Sequence, residues 1–216
     1  MKNLLLVLLV FIGLQVKSQT NLTTAVNFTV TDVHGQTHNL FNILDGGKHV
    51  IIDFFFTTCG PCIASVPTLN QAFTDYGCNT GEVYFISIDQ GDTDAEVLQY
   101  EETYGGLLPS VSGVNGGGNS VTSTYGVTAY PTVILIAPNR TILSQDIWPV
   151  SNITSVLFNA GLSTASCGTA SIQEELLTNK KLLKVTDLLG RETKPTNQPL
   201  IYMYDDGTIE KKIVLE

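Results

Sequence analysis

Basic residues are scarce over most of this 216-residue chain. Between residues 19 and 171 there are twelve acids and only two bases, Lys48 and Arg140. A surface of that charge repels phosphate backbones, which argues against nucleic acid as a partner. From residue 172 onward the balance changes to eight acids and seven bases. This change predicts a boundary between a body and a tail, with residues 166–175 as the linker.

The N-terminal apolar run is too short to cross a membrane. It covers residues 4–14, eleven residues, whereas a spanning helix needs about 20. Lys2 precedes the run and Ser18 follows it at a suitable cleavage position, which is typical of a secretory signal peptide. We therefore predict that residues 1–18 are removed on export and that no membrane span remains. No cysteine stands at the cut, so the pattern is not that of a lipoprotein.

Cysteine is also scarce. The four cysteines, Cys59, Cys62, Cys78 and Cys167, allow three pairings, and an exported chain can keep disulfides. Only Cys59 and Cys62 form a close pair, whereas a structural zinc site usually needs a second one. We therefore predict no metal site and no tightly bound cofactor. The histidines, which fall at turn and strand-start positions, are His34, His38 and His49.

The body alternates between the patterns of strands and helices. Continuous apolar, β-branched and aromatic runs predict buried strands, and apolar residues at three- and four-residue steps predict helices. This order predicts an α/β fold with a mixed sheet. The predicted elements are a hairpin at 28–40, strands at 49–56, 82–89, 131–138 and 141–148, helices at 61–76, 92–105 and 151–161, a flexible loop at 112–119 and a helical turn at 120–127.

The stretch "DFFFTTCGPC" places Cys59 where a predicted buried strand ends and a helix begins. Free backbone N–H groups and the helix dipole stabilise a thiolate at that position and lower its pKa. Cys62 lies one turn further on, within reach of a mixed disulfide formed at Cys59. A purely structural bridge is the alternative, but so short a loop removes little entropy from the unfolded chain. The position therefore favours a redox pair.

With Pro67 five residues after Cys62, the stretch "VIIDFFFTTCGPC" resembles the active-site strand and helix of thioredoxins. The body over residues 26–162 resembles the exported TlpA/ResA-like thiol–disulfide oxidoreductases. In "YGVTAYPTVILIAPNRTI", the Tyr130-Pro131 bond stands where this family has a cis proline. The resemblance implies that residues 19–165 form a thioredoxin-like mixed β-sheet flanked by helices.

The resemblance also implies catalytic roles. Cys59 would attack a substrate and Cys62 would resolve the mixed disulfide. Asp53, six residues before Cys59, stands where thioredoxins keep a buried acid, which would have a raised pKa and relay a proton for Cys62. The alternative for Asp53 is a buried acid with only a structural role.

Substrate contacts follow from the same resemblance. Gly60 and Pro61 form the dipeptide of thioredoxin itself, and Pro131 would lie against the cysteines. The backbone of Tyr130 would then pair with an extended substrate segment. Thr58 departs from the family, in which tryptophan usually precedes the first cysteine, so an aromatic wall beside the site is missing.

In a thioredoxin-like fold, the active-site helix and the last helix run away from the active site on one face of the sheet. Cys78 and Cys167 follow the ends of these two helices. The resemblance therefore implies a structural disulfide between them at the far end of the domain. Two free buried thiols are the alternative.

The tail, residues 176–216, predicts a hairpin around Asp206-Gly207. It resembles the C-terminal sorting domain of type IX secretion cargo from Bacteroidota, which implies export across the outer membrane by that machinery. The alternative is a small β-module that stays on the protein. The residues that carry the resemblance are Asp187, Gly190, Arg191, Tyr202, Gly207 and Lys212.

Together these features predict a secreted or cell-surface thiol–disulfide oxidoreductase acting on protein thiols and disulfides. The direction of electron flow and the upstream donor or acceptor stay open. One alternative is a thiol peroxidase, but peroxiredoxins place the attacking cysteine after Pro-x-x-x-Thr, whereas "FFFTT" precedes Cys59. Another alternative is a non-catalytic secreted binding module.

Overall fold

The computed structural model describes residues 20–168 and, in the tail, 182–187, 189, 191–193, 199–205, 207 and 209–213. The predicted signal peptide and linker residues 169–175 lie outside the described residues. The chain forms two compact units, residues 1–168 and 169–216. Within the described residues, no helix combines the length and apolar character that crossing a membrane requires.

The first unit is built on a five-stranded mixed sheet with strand order β5-β4-β3-β6-β7. Strand β3 pairs in parallel with β4 and antiparallel with β6. The elements are β1 (Thr29–Thr31), β2 (Thr37–Asn39), α1 (Leu40–Asp45), β3 (His49–Phe55), α2 (Gly60–Asp75), β4 (Val83–Asp89), α3 (Asp94–Tyr104), β5 (Ser110–Val111), α4 (Gly118–Tyr125), β6 (Thr132–Ile136), β7 (Ile142–Ser144) and α5 (Ile153–Asn159).

The sheet separates two apolar cores because successive side chains of a strand point to opposite faces. On one face Ile52 and Phe54 of β3 belong to a cluster that also contains residues of α1 and α4. On the other face Ile51 belongs to a cluster with Leu69 of α2 and Leu157 of α5. All three β3 side chains are fully buried. Burial on both faces explains why the strand reads as an unbroken apolar run.

The predicted strands and long helices are confirmed, while two short elements escaped the sequence patterns. Helix α1 has six residues and strand β5 has two, too few to display a period. Asn39 begins α1, because its side chain accepts a hydrogen bond from the backbone N–H of Asn42.

The glycine-rich segment before α4 is held by close packing. A Cβ atom at Gly118 would lie 2.3 Å from the carbonyl oxygen of Asp89, and one at Gly116 would lie 2.4 Å from that of Thr31. The hydroxyl of Ser112 accepts hydrogen bonds from two backbone N–H groups of the same segment. The glycines that predicted flexibility therefore allow the close approach of neighbouring backbone.

A disulfide joins Cys78 to Cys167 at the end of the unit where α2 terminates. Their Cα atoms are 4.9 Å apart and the residues are separated by 89 positions in sequence. The backbone N–H of Ala165 donates to the carbonyl of Asp75, which brings the two chain segments side by side. The bridge thus closes a loop that contains most of the first unit.

Replacing both Cys78 and Cys167 with serine should lower the free energy of unfolding by roughly 3 kcal/mol, because the unfolded chain regains the entropy of a long open loop. Urea denaturation of the oxidised protein and of the double variant measures the difference. The variant should keep its activity on disulfides, since the bridge lies away from Cys59. An unchanged unfolding midpoint would show that the bridge does not stabilise the fold.

The second unit contains a three-stranded antiparallel sheet with order β10-β9-β8. Its strands are β8 (Leu182–Thr186), β9 (Pro199–Tyr204) and β10 (Ile209–Ile213). Strands β9 and β10 pair antiparallel, with Met203 opposite Ile209. After β8 the Asp187 carboxylate accepts from the backbone N–H groups of Leu189 and Arg191, and the Arg191 Nε lies 2.7 Å from it. These bonds join Asp187 to Arg191, two of the residues that carry the tail's resemblance, while Gly190 lies outside the described residues.

Candidate active site

Cys59 is the N-cap residue of α2, with extended backbone angles of φ −74° and ψ 106°. Its Sγ atom accepts a hydrogen bond from the backbone N–H of Cys62 at 3.2 Å. The two cysteines are joined as a disulfide, with Cα atoms 5.2 Å apart. Pro61 occupies the first helical turn, where its missing N–H is not needed. The site therefore holds the first sulfur against the free N–H groups of a helix start.

The side chains of the redox pair are almost fully buried. Cys59 and Cys62 are each 3% exposed. Both belong to an apolar cluster, here called the active-site cluster, against which the partly buried rings of Phe56 and Tyr130 pack. These two rings meet edge to face with centroids 5.4 Å apart. Gly60, beside the pair, is exposed. An incoming disulfide therefore meets the sulfur atoms at a narrow opening.

The predicted substrate-binding loop contributes to the same cluster. The Tyr130-Pro131 peptide bond is cis. Pro131 is buried and directly precedes β6. Strand β6 pairs with β3, the strand that leads to Cys59. Burial raises the pKa of the Tyr130 phenol, and the Asp89 carboxylate raises it further. Tyr130 thus contacts Phe56, and both rings pack on the active-site cluster that contains the redox pair.

Asp53 lies inside β3 and is 5% exposed. The Ser87 hydroxyl donates to its Oδ2 atom at 3.2 Å. Among the described residues nothing bonds its Oδ1 atom. Burial raises the pKa of Asp53 to about 7, although the bond from Ser87 opposes this. The carboxyl is therefore tuned to exchange a proton near neutral pH.

Ser87 is a site residue that sequence reasoning missed. It stands directly opposite Asp53 in the parallel pairing of β3 with β4. The available signal was a hydroxyl within the otherwise apolar "VYFISI" run, matching the single acid within "HVIIDFFF".

A cavity of about 20 Å³ adjoins the carboxyl of Asp53. Its polar lining comes from Asp53, Ser87, Ser110 and Asn70, and Tyr100 forms part of its wall. The volume is enough for one water molecule. The carboxyl of Asp53 therefore borders a small cavity with polar walls.

A second buried acid, Asp89, ends β4 and was also missed. It is completely buried, and its Oδ2 atom accepts from the backbone N–H groups of Asp92 and Gly113, both at 2.9 Å. Burial raises its pKa to about 7. In the sheet it stands opposite Phe55, four residues before Cys59. Asp89 thereby connects the glycine-rich segment to the end of β4, which lies beside the end of β3.

A mixed sheet with helices on both faces, and a Cys-x-x-Cys pair where a strand passes into a helix, define a redoxin with the thioredoxin-like fold. The sequence pattern of the AhpC/TSA family matches residues 22–145, more than half of the chain. The chain belongs to this family.

Curated relatives include the thiol–disulfide oxidoreductase ResA of Bacillus thuringiensis (strain Al Hakam). It is 32% identical over 121 residues, which are 56% of this chain and 66% of the relative. ResA of Geobacillus thermodenitrificans is 29% identical over 116 residues, 54% of this chain and 63% of the relative. The chain thus spans slightly less than two thirds of the length of these relatives.

Solved structures share the fold. The thioredoxin domain of a thiol–disulfide oxidoreductase from Bacteroides vulgatus superposes with a TM-score of 0.54 at 19% identity, covering 62% of this chain and 94% of that one. A thiol:disulfide interchange protein from Bacteroides sp. gives a TM-score of 0.52 at 18% identity, covering 63% of this chain and 87% of that one. These likenesses establish the thioredoxin-like architecture.

Proposed function

We propose that this protein is an exported thiol–disulfide oxidoreductase that exchanges disulfides with extracytoplasmic proteins through Cys59 and Cys62. The observation that carries the proposal is the Cys59–Cys62 disulfide across the first turn of α2, with a buried acid in the adjacent strand. The ResA relatives are named as thiol–disulfide oxidoreductases.

In the reducing direction, the Cys59 thiolate attacks one sulfur of a substrate disulfide. A Cys59–substrate bond forms, the substrate S–S bond breaks, and the departing sulfur takes a proton. Cys62 then loses its proton and attacks Cys59 Sγ, which releases the second substrate thiol. Two electrons pass to the substrate and the protein is left with the Cys59–Cys62 disulfide. The oxidising direction runs the same steps in reverse.

Asp53 accepts the proton that Cys62 loses. A carboxyl with a pKa near 7 is suited to both taking and returning a proton at neutral pH. A water molecule in the adjoining cavity would bond its unpartnered Oδ1 atom and lead the proton away from the sulfur atoms.

The substrate segment lies along the loop that precedes β6. An extended segment pairs with the backbone of Tyr130, and Pro131, having no N–H, does not compete for that pairing. Gly60 and Pro61 form the opposite side of the opening, where the exposed glycine presents no side chain to block approach.

Reduction of insulin disulfides by the purified protein with dithiothreitol tests this function. We expect precipitation of the insulin B chain well above the rate with dithiothreitol alone, and little consumption of hydrogen peroxide under the same conditions. Fast peroxide consumption without insulin reduction would instead support a thiol peroxidase. No turnover of either substrate would support the non-catalytic binding module.

The same proposal includes export and sorting of the chain. Residues 1–18 direct it across the inner membrane, and the tail is recognised by type IX secretion machinery, after which the protein is released or displayed at the cell surface. The signal-peptide pattern and the Asp187–Arg191 turn in a separate β-sheet unit support this route. The mass of the protein recovered from the medium and from the cell envelope tests it, because both ends would be shortened.

A further inference from the structure

A pocket of about 360 Å³ opens beside the redox pair, next to Thr58. Thr58 directly precedes Cys59 and is exposed. The opposite wall comes from one side of α3 and includes Glu96, Tyr100 and Tyr104. This pocket is separate from the small cavity that adjoins Asp53, although Tyr100 contributes to both. Because Thr58 adjoins Cys59 in the chain, a side chain near the reactive cysteine of a bound substrate can reach the pocket.

The walls combine aromatic rings with a carboxylate. Tyr100 packs in the active-site cluster, and its ring lies 5.1 Å from that of Tyr104, which is 42% exposed. The Glu96 side chain is exposed, and its Oε2 atom accepts hydrogen bonds from the backbone N–H and hydroxyl of Thr93, both at 2.8 Å. These bonds fix the carboxylate at the first turn of α3. Aromatic faces beside a fixed carboxylate favour a cation.

The charge distribution around the pocket also favours a cationic ligand. The two basic side chains of residues 20–168 are engaged elsewhere. Lys48 donates to backbone carbonyls of Asn79 and Gly81, just beyond α2, and Arg140 lies 3.0 Å from Asp45. Neither lines the pocket. Within residues 20–168, therefore, no lysine or arginine neutralises Glu96.

One neighbouring acid is already paired. Glu101, also on α3, lies 2.8 Å from the Nε2 atom of His34 and does not line the pocket. Glu102 follows it on the same helix, is exposed, and likewise does not line the pocket. Glu96 is thus the carboxylate of α3 that faces a space large enough for a side chain.

Resting on the proposed disulfide exchange, we infer that this pocket binds a lysine or arginine side chain of the substrate, close in sequence to its reactive cysteine. Thr58 of the pocket wall directly precedes Cys59, and an extended chain advances about 3.3 Å per residue, so the cation belongs within one to three residues of that cysteine. The substrate class is therefore a cationic, cysteine-containing protein segment, which the acidic body also attracts over a longer range.

Thr58 lines the pocket, is exposed and directly precedes Cys59. Its small polar side chain leaves room beside Cys59 for a side chain of the substrate.

Model peptides test the inference. Each carries one cysteine in mixed disulfide with thionitrobenzoate, whose release is followed by absorbance, and has lysine, arginine, alanine or glutamate two residues before or after the cysteine. The reduced full-length protein should react about five- to tenfold faster with the lysine and arginine peptides than with the alanine peptide, since a cation–π contact and an exposed ion pair add together. The glutamate peptide should react more slowly than the alanine peptide.

The Glu96→Gln variant should reduce the preference for the cationic peptides to about twofold while leaving the rate with the alanine peptide unchanged. Glutamine at this position keeps the helix cap, so α3 stays intact. The matched control is Glu102→Gln, which removes the same charge from the same helix outside the pocket and should retain the preference. Tyr104→Leu should weaken the preference without changing the overall charge.

Equal rates for the cationic and alanine peptides in the unaltered protein would overturn this inference and leave the proposed function standing. Equal loss of preference in Glu96→Gln and Glu102→Gln would also overturn it, because the effect would then come from overall charge. Failure to reduce any peptide would overturn the proposed function itself.

Discussion

Changing Cys59 to serine should lower the rate of insulin reduction by roughly 1,000-fold or more, to the level of dithiothreitol alone. A serine hydroxyl at the start of α2 stays protonated at neutral pH and does not attack a disulfide. The backbone N–H of Cys62 and the helix dipole would then face a neutral oxygen instead of a thiolate. The measurement is the insulin precipitation rate at equal protein concentration.

Cys62→Ser is the matched control for this result. It leaves the attacking sulfur in place but removes the one that resolves the intermediate, so it should trap substrate as a stable mixed disulfide at Cys59. Intact-protein mass spectrometry detects the added mass, which Cys59→Ser should not show. Turnover that persists in Cys59→Ser, with both variants folded by circular dichroism, would contradict the assigned order of attack.

The Asp53→Asn variant should be more stable than the unaltered protein above pH 7. In the folded protein the Asp53 carboxyl has a pKa of about 7, against an ordinary value of 3.8. Between these values the unfolded chain releases a proton that the folded chain keeps, so stability falls as pH rises from about 4 to 7. The difference corresponds to about 4 kcal/mol at pH 8. Asparagine carries no such penalty, and Ser87 can still donate to its side-chain oxygen.

Urea denaturation at pH 4 and pH 8 measures this effect. The gain from Asp53→Asn should be large at pH 8 and small at pH 4, where the folded carboxyl is protonated and the unfolded one is only partly ionised. The matched control is Asp75→Asn, a change in a partly exposed acid at the end of α2, which should alter stability much less than Asp53→Asn at pH 8. Equal stability of the Asp53 variant and the unaltered protein at pH 8 would show that the carboxyl is not held in its neutral form.

The same substitution should slow turnover by about 100-fold near pH 7, because asparagine cannot accept the proton of Cys62. The dependence of the rate on pH around neutrality should also disappear, a change that a purely structural role for Asp53 would not produce. The rate at which Cys62 releases product from the mixed disulfide at Cys59, measured in a single turnover of the Asp53→Asn variant, isolates this step from the initial attack by Cys59.

The core of the site was predictable because its signals are local. The apolar run around Asp53 predicts a buried strand, and the three- and four-residue spacing after Pro61 predicts a helix. Their junction then places Cys59 at a helix start. Ser87 was within reach of the same reasoning, because an odd hydroxyl in one buried strand matches an odd carboxyl in its neighbour.

Other parts of the site depend on contacts between distant segments. Asp89 is held by a backbone N–H of Gly113, 24 positions away, and no spacing along the chain reports that bond. Tyr100 could be placed on a helix from the sequence, but its position over both the cavity and the pocket follows from how α3 packs on the sheet. The role of the glycines was misread because the sequence does not distinguish a mobile glycine from one that permits close packing.

The two disulfides stand at opposite ends of α2, one across its first turn and one just past its last residue. The helix has sixteen residues and is therefore roughly 24 Å long. Sulfur atoms that far apart cannot attack one another, so a thiolate generated at Cys59 has no route to the distant bridge within its own molecule. The protein can pass through repeated rounds of oxidation and reduction without scrambling its cysteine pairing.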